Sequence, residues 1–416
     1  MNILFIHQGF PGQYIRVLKA LAASRQHKIV GLGRARRDDS LPAEIAYLPY
    51  GVQRGNTPGI HPLVMETESK VIRAEACAKT AHRLQEKGFR PDLICAHPGW
   101  GEALFIKDIW PQAPLLSYQE FYYQPIGFDS DFDQEMQGLQ SWQDKAKLRM
   151  KTANLLLNLQ ASNWCVTPTQ FQRSSFPKQW QSRISVIHEG IDTQLACPDA
   201  AVAPLLLPDG TSVRRGDPVV TFVNRRLEPY RGCHSFLRAL PELQRLAPDA
   251  RVVIVGQQEG VSYGAECRTG SWKEVFLKEI EGQYDPSRVH FTDTLAYGPF
   301  LQLLQISAVH VYLTYPFVLS WSLLEAMSSG CAVVGSDTAP VREVIRDGHN
   351  GLLVDFFSRT DLAAAVAELL HDRARAEALG AAARKHVQQH YGLDACLRQQ
   401  LALMALVASG GLNASD

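Results

Sequence analysis

A carboxylate and a helix start share one short stretch in the second half of the chain. An apolar strand over Val309–Leu313 runs into a turn at Tyr315, and the helix that follows carries Ser320 at its start and Glu325 in its body. A carboxylate in a helix that opens at the carboxyl edge of a parallel sheet is well placed to hold ribose hydroxyls. The main-chain amides of such a helix start can bind a phosphate without any cation. The stretch therefore indicates a nucleotide-sugar site.

Two arginines follow the first strand of the same half. Arg226 and Arg231 lie in the run NRRLEPYRG, whose Pro and Gly predict a loop at the carboxyl edge of the sheet. Two guanidiniums beside a diphosphate form charge-assisted bonds that strengthen as negative charge develops on the leaving group. A solvated basic loop is the alternative, and the proximity of the predicted Glu325 helix disfavours it.

A glycine turn follows the first strand of the chain. Gly9 and Gly12 fall in HQGFPGQ, which lacks the G-x-G-x-x-G pattern of a dinucleotide site, and the second strand ends at Arg34 with no carboxylate. Binding of NAD is therefore not expected. Two glycines still allow the backbone to approach a diphosphate, although any turn from strand to helix uses Gly and Pro.

Polar and aromatic residues mark two further strand ends in the first half. His97 ends one candidate strand and is followed by Trp100; Glu120 and Tyr122 follow the next strand. A histidine there can donate to a sugar hydroxyl, and aromatic faces beside a carboxylate suit a sugar acceptor. A core histidine and ordinary aromatic packing are the alternatives.

Composition limits the class of protein. The chain has 416 residues, which predicts two domains of about 200 residues each. Its formal net charge is zero, so no overall field favours nucleic acid or membrane. Eight cysteines without a C-x-x-C pair fit free thiols in a reducing cytosol. The absence of a signal sequence or membrane-length apolar run leads us to expect a cytoplasmic protein.

Short apolar strands alternate with helical patterns in both halves, which predicts an α/β fold with parallel sheets covered on both faces. We expect two doubly wound, Rossmann-like domains that face each other across a cleft. The predicted parts are an N-terminal acceptor-binding domain over 1–195, a C-terminal nucleotide-sugar domain over 196–390, and a tail over 391–416 that packs back on the N-terminal domain.

The order of motifs resembles family 4 of the retaining glycosyltransferases, which have the GT-B fold. The resemblance is strongest over 219–356, through R-L-x-P-x-R-G, the L-L-E-A-M helix and the APVREVI segment with its D-G-x-x-G-L-L-V continuation. It implies that Arg226 and Arg231 grip the donor diphosphate, with Arg231 at the place of the family's Lys. It also matches Glu325 to the glutamate that holds the ribose, and His97 to the active-site histidine.

One position departs from the family pattern. Phe317 stands where a glutamate normally touches the transferred sugar, and Val318 and Ser320 replace small glycines. The resemblance therefore leaves the donor sugar open. The candidate residues for donor binding are Gly9, Gly12, Phe317, Leu319, Ser320, Trp321 and Glu325.

The expected function is metal-independent, retaining transfer of a sugar from a nucleoside diphosphate to a glycan, lipid-linked or protein acceptor, with no cofactor. A nucleotide-sugar epimerase, a sugar-phosphate synthase and a non-catalytic binding scaffold are the alternatives. Related enzymes touch anionic membrane through a basic stretch of the first domain, so peripheral membrane contact is a further hypothesis. The charges at Lys145, Lys147, Arg149 and Lys151 would spread around a helix, which favours a solvated face instead.

Overall fold

The computed structural model describes residues 1–34 and 36–412, and the chain divides into two compact units. Among these residues, the first unit contains Met1–Ile126, Leu139–Gly190 and the chain from Asp394 to residue 412; the second contains Gly127–Gly138 and Ile191–Leu393. This division differs from the predicted one, because a segment inside the first half of the chain belongs to the second unit. The side chains of that segment find their partners there, which no local sequence pattern reveals.

The first unit is built on a parallel sheet of seven strands. Its strands are β1 (Asn2–Ile6), β2 (Lys28–Gly33), β3 (Ala46–Pro49), β4 (Leu93–Ala96), β5 (Leu115–Tyr118), β6 (Trp164–Thr167) and β7 (Ile184–Val186). They are arranged in the order β3-β2-β1-β4-β5-β6-β7, so the strand order reverses between β1 and β4. Doubly wound sheets bind ligands at the carboxyl ends of the strands at such a reversal.

The second unit repeats this plan. A hairpin of β8 (Leu205–Leu206) and β9 (Ser212–Val213) precedes a parallel sheet of six strands. The six strands are β10 (Val219–Arg226), β11 (Arg251–Gln257), β12 (Val289–Thr292), β13 (Val309–Tyr312), β14 (Ala332–Ser336) and β15 (Leu352–Val354). Their order is β12-β11-β10-β13-β14-β15, with the reversal between β10 and β13.

Helices connect the strands, as right-handed parallel crossovers require. Those in the first half of the chain are α1 (Ile15–Ser24), α2 (Met65–Glu86), α3 (Ile106–Ile109), α4 (Gln134–Gln137), α5 (Trp142–Lys151), α6 (Ala153–Ala161), α7 (Gln170–Ser175) and α8 (Lys178–Gln181). Those in the second half are α9 (Cys233–Leu246), α10 (Trp272–Glu279), α11 (Tyr297–Ile306), α12 (Trp321–Ser328), α13 (Ala339–Arg342), α14 (Arg359–His371), α15 (Arg373–His390) and α16 (Leu393–Ala408). None of the described helices is both long and apolar enough to span a membrane.

The alternation of side chains along the strands builds a core on both faces of each sheet. In β1, Ile3 and Phe5 pack on one face and Leu4 and Ile6 on the other. The last helix, α16, joins the first of these two cores through Leu403, Met404 and Val407. The described part of the C-terminal tail, which contains α16, therefore packs within the first unit.

Candidate functional site

The loop after β10 carries the two predicted arginines to the reversal point of the second sheet. Arg226 is the last residue of β10, and Arg231 ends a short 3₁₀ turn over Pro229–Arg231. Gly232 then adopts a φ of +70°, and a β-carbon there would lie 2.3 Å from Leu313 Cβ. Only glycine allows the chain to turn this tightly into α9.

Arg231 is a buried cation that binds the neighbouring loop. Its Nη1 donates to Thr314 Oγ1 at 2.8 Å, to the Val318 carbonyl at 2.9 Å and to the Tyr312 hydroxyl at 3.3 Å. Burial opposes its charge, but Tyr312, Tyr263 and Glu228 outweigh burial and raise the pKa of Arg231. The guanidinium therefore stays charged while it holds together the segment that precedes α12.

Arg226 reaches a different partner. Its Nη1 donates to the Glu259 carbonyl in the loop after β11, and the residue is only half-buried. The side chains of Arg226 and Arg231 thus contact two different loops: Arg226 the loop after β11, and Arg231 the loop between β13 and α12. Their predicted convergence on a single anion stays a prediction.

The start of α12 is where the sequence placed it, and part of its donor capacity is already used. Ser320 is the N-cap: its side chain accepts from the Ser322 amide at 3.3 Å, while its own amide donates to the Tyr312 hydroxyl at 2.9 Å. Glu325 is buried and accepts from the Tyr297 hydroxyl at 3.0 Å. The side chain of Leu319 is buried in the core of the second unit and Trp321 packs against that core. Their contacts with the donor stay predictions.

Phe317 is part of an aromatic cluster around Arg231. The ring is 2% exposed and meets Tyr263 edge-on, with centroids 4.8 Å apart, and Tyr230 at 5.6 Å. The carbon of the Arg231 guanidinium lies 5.8 Å from the ring centroid. A family glutamate at this position would bring a charge into the cluster, so the phenyl ring and its tyrosine neighbours form a consistent apolar set.

In the first unit, the ends of β1, β4 and β5 carry four connected polar side chains, which we call the imidazole–carboxylate cluster: His7, Gln13, His97 and Glu120. His7 Nε2 lies 2.7 Å from Gln13 Oε1, Gln13 Nε2 donates to Glu120 Oε1 at 2.9 Å, and His97 Nε2 lies 3.6 Å from Glu120 Oε2. Sequence reasoning identified His97 and Glu120 but missed His7 and Gln13. Their position at the first strand end and in the glycine turn was the available signal.

Electrostatics set the protonation of this cluster. Burial and the neighbouring His97 lower the pKa of His7 to about 3. Burial opposes ionisation of Glu120, yet the imidazoles and Gln13 outweigh it and hold the pKa of that carboxyl below its ordinary value. At neutral pH, a neutral His7 therefore lies beside an ionised Glu120.

Aromatic rings fix the orientation of His97. Its ring stacks on Trp100 at a centroid distance of 4.5 Å and on Tyr118 at 5.4 Å.

Gly12 packs against His7, since a β-carbon there would lie 2.3 Å from the imidazole. Gly12 thus makes room for the cluster, and its approach to a diphosphate stays a prediction.

Tyr122 has contacts of another kind. Its amide donates to Ser175 Oγ at 3.0 Å and its ring packs 5.7 Å from that of Phe176. Among the described contacts it belongs to a small apolar cluster at the edge of the first unit. The acceptor role of Tyr122 stays a prediction, beside the packing alternative that its position at a strand end left open.

The predicted basic helix is present as α5. Lys145, Lys147 and Arg149 are exposed, and Lys151 Nζ lies 3.6 Å from the centroid of the Tyr123 ring. This helix ends before Thr152, and α6 begins directly after that residue.

Comparison with known proteins places this geometry in context. A model described as glycosyl transferase family 4 group matches residues 25–196, and one described as glycosyl transferases group 1 matches residues 209–386. A GDP-mannose-dependent α-(1-6)-phosphatidylinositol monomannoside mannosyltransferase from Mycolicibacterium smegmatis is 28% identical over 236 residues, 54% of this chain and 56% of the relative. The chain thus spans about half the length of the curated relatives it matches.

Solved structures extend the likeness to nearly the whole chain. Sucrose-phosphate synthase from Thermosynechococcus elongatus superposes with a TM-score of 0.72 and 17% identity, over 99% of this chain and 100% of that one. Anabaena HepE in complex with UDP-glucose gives 0.67 and 18%, over 97% and 99%. These likenesses, with the two parallel sheets, confirm the predicted α/β fold of the GT-B class.

Proposed function

Because the chain belongs to family 4 of the glycosyltransferases, we propose that it moves a sugar from a nucleoside diphosphate to an acceptor hydroxyl. One observation carries this proposal: Arg231 and Glu325 follow the adjoining strands β10 and β13, where the order of the second sheet reverses. A cation and a carboxylate at that crevice match the two ends of a nucleoside diphosphate.

The donor diphosphate is assigned to Arg226, Arg231 and the start of α12. Arg231 is charged and already fixed by three acceptors, so it requires little reorganisation as negative charge develops on the departing phosphate. Arg226 is less buried and supplies a second guanidinium. These groups provide the positive potential that other transferases take from a metal ion, and we therefore propose metal-independent transfer.

The ribose is assigned to Glu325. The carboxylate is one turn inside α12 and its Oε1 is held by the Tyr297 hydroxyl. A carboxylate fixed in this way accepts hydrogen bonds from two vicinal hydroxyls with little loss of side-chain entropy.

The acceptor is assigned to the imidazole–carboxylate cluster of the first unit. An ionised Glu120 accepts a hydrogen bond from an acceptor hydroxyl. His97, whose ring stacks on Trp100 and Tyr118, supplies a second polar contact. We propose that the anomeric configuration is retained, and the family membership supports this. We propose that a leaving phosphate oxygen takes the acceptor proton on the same face of the sugar.

Peripheral membrane contact is proposed for the case of a lipid-linked acceptor. The exposed Lys145, Lys147 and Arg149 on α5 would then meet anionic head groups, each contributing about 1 kcal/mol. Co-sedimentation with phosphatidylglycerol vesicles, compared with neutral phosphatidylcholine vesicles, tests this contact. Equal recovery with both lipids would favour a simply solvated helix face.

Turnover with defined donors tests the function. GDP-mannose and UDP-glucose, the sugar nucleotides named for the relatives above, are incubated with an acceptor panel that includes a phosphatidylinositol and a sugar phosphate, in excess EDTA. We expect glycoside formation with retained configuration by NMR. Inverted products or a strict need for added Mn²⁺ would contradict the mechanism, and nucleotide release without any glycoside in the presence of all acceptors would favour an epimerase.

A further inference from the structure

A segment of the first half of the chain is built into the second unit. The chain leaves the first unit after Ile126, contributes Gly127–Gly138 to the second unit, and returns at Leu139. We call Gly127–Gly138 the strap. It is acidic and aromatic (GFDSDFDQEMQG), and it contains the short helix α4.

The strap is fixed by buried carboxylates rather than by sheet pairing. Asp133 is 1% exposed. Its Oδ1 caps α4, because it accepts hydrogen bonds from the amides of Glu135 and Met136. Its Oδ2 accepts a hydrogen bond from the Tyr315 hydroxyl at 2.5 Å. His234 Nε2 lies 3.0 Å from the same Oδ2. A second buried carboxylate of the strap, on Asp129, accepts the hydroxyl of Tyr230 at 2.9 Å. Buried carboxylates with several donors are strongly oriented.

Apolar and surface contacts reinforce this arrangement. The Phe132 ring meets Tyr315, Phe356 and Phe357 at centroid distances of 5.2, 5.2 and 5.1 Å. Arg238 makes a paired contact with Glu135, with its Nη1 2.8 Å from Oε2 and its Nη2 2.5 Å from Oε1. The strap is thus anchored at both ends and in its middle.

The two tyrosines that the strap holds adjoin the proposed donor groups. Tyr230 precedes Arg231, its ring lies 4.6 Å from that of Tyr315, and its carbonyl accepts the Tyr315 amide at 3.0 Å. Tyr230 also contacts Phe317 edge-on at 5.6 Å. A displacement of either tyrosine would therefore move Phe317. It would also move the segment whose Thr314 hydroxyl and Val318 carbonyl accept hydrogen bonds from Arg231.

We propose that Asp129 and Asp133 are positioning residues for the donor sugar. Through their hydrogen bonds to Tyr230 and Tyr315, they fix the positions of these two tyrosines. The tyrosines in turn fix Phe317 and Arg231 relative to the transferred sugar and its phosphate. This inference rests on the proposed function and deepens it. It predicts that residues of the first half of the chain influence donor use without touching the nucleotide. A purely structural strap would instead affect stability alone.

The test uses Asp133→Asn, Tyr315→Phe and their combination in the full chain, with Asp131→Asn as the matched control. Asp131 lies in the same strap, but its carboxylate accepts the Gly127 amide rather than a tyrosine. With the donor that wild type uses, UDP-glucose or GDP-mannose, we expect each single variant to lose about tenfold or more in kcat/KM. The Kd for the corresponding UDP or GDP should change by less than about threefold. The double variant should lose no more than the worse single variant, because both changes break one contact.

Melting temperatures separate positioning from folding. If Asp133→Asn does not fold, Asp129→Asn, which addresses Tyr230 instead, carries the same expectation. Wild-type kcat/KM in folded Asp133→Asn and Tyr315→Phe, or an equal loss in Asp131→Asn, would overturn the strap proposal and leave the transferase intact. A wild-type chain that binds neither nucleotide and uses neither donor would instead refute the proposed function and remove the premise of this inference.

Discussion

The guanidinium of Arg231 is a buried charge with three protein acceptors, whereas that of Arg226 is half-buried and reaches one carbonyl. Removing a partner from a buried charge, or the charge from its partners, costs several kcal/mol of stability. A substitution of Arg231 would therefore mix a loss of folding with a loss of ligand binding. Arg226 allows the two effects to be separated.

Arg226→Ala should lower kcat/KM for the sugar nucleotide, which corresponds to a loss of about 2–4 kcal/mol of transition-state stabilisation, the range for one preorganised hydrogen-bond donor. The melting temperature should stay nearly unchanged. Arg225→Ala is the matched control, since Arg225 is the adjacent arginine and is exposed. Steady-state kinetics on both variants measure the effect. Equal rates for the two variants would show that Arg226 is only a surface residue.

Residue types after strand ends were enough to predict His97, Glu120, Arg226 and Arg231 as candidates, and a carboxylate inside the helix after a strand was enough to predict Glu325. The partners of these side chains were not predictable in the same way. His7 and Gln13 connect to Glu120 across more than a hundred residues, and a single sequence carries no signal for such pairing. The packing of Tyr122 and Leu319 against apolar clusters was likewise not predictable, because most members of these clusters lie far away in the sequence.

At the scale of elements, parallel strands bring distant residues to one edge. The ends of β1, β4 and β5 collect the imidazole–carboxylate cluster, just as the ends of β10 and β13 collect the donor groups. The predicted alternation of short apolar strands and helices is present in both large sheets, because buried parallel strands are short runs rich in Val, Ile and Leu. The hairpin of β8 and β9 was missed, since each strand has only two residues.

The free energy of unfolding should depend on pH through His7, which lies at the carboxyl edge of the first sheet. Its pKa of about 3 lies below the ordinary value of 6.5, so between these values the unfolded chain binds a proton that the folded chain does not. The contribution of His7 to stability is thus complete above pH 6.5 and is lost as pH falls toward 3, with a slope of up to about 1.4 kcal/mol per pH unit.

His7→Gln should therefore flatten the fall in the free energy of unfolding between pH 6.5 and 4. Urea unfolding at several pH values measures this slope for wild type, for His7→Gln and for the exposed control His371→Gln. The same slope in wild type and His7→Gln would mean that folding does not lower the pKa of His7.

At the scale of the whole chain, both units are assembled from segments that are distant in sequence. The strap joins the second unit from within the first half, and α16 joins the first unit from the C-terminal end. The packing of the tail on the N-terminal domain was expected. The strap was not, because a short acidic segment has no periodic pattern and its partners, such as Tyr315 and His234, lie far along the chain.

Removal of a buried side chain from α16 should destabilise the first unit. Leu403→Ala should lower the free energy of unfolding by about 2–5 kcal/mol, the range for a leucine in a packed core. Leu406→Ala, on the same helix at a position that is 45% exposed, should cost far less. Denaturant unfolding compares them, and similar losses would indicate that α16 does not pack on the first unit in solution.

Calorimetric titration of the nucleoside diphosphate tests the central claim most directly. UDP and GDP are each titrated in EDTA into wild type, Glu325→Ala and the exposed control Glu281→Ala. We predict that wild type binds at least one of them with a stoichiometry of one, that Glu325→Ala weakens this binding by about 1–3 kcal/mol, and that Glu281→Ala does not. No binding of either nucleotide to wild type, or the same affinity in Glu325→Ala, would contradict a donor site at the reversal point of the second sheet.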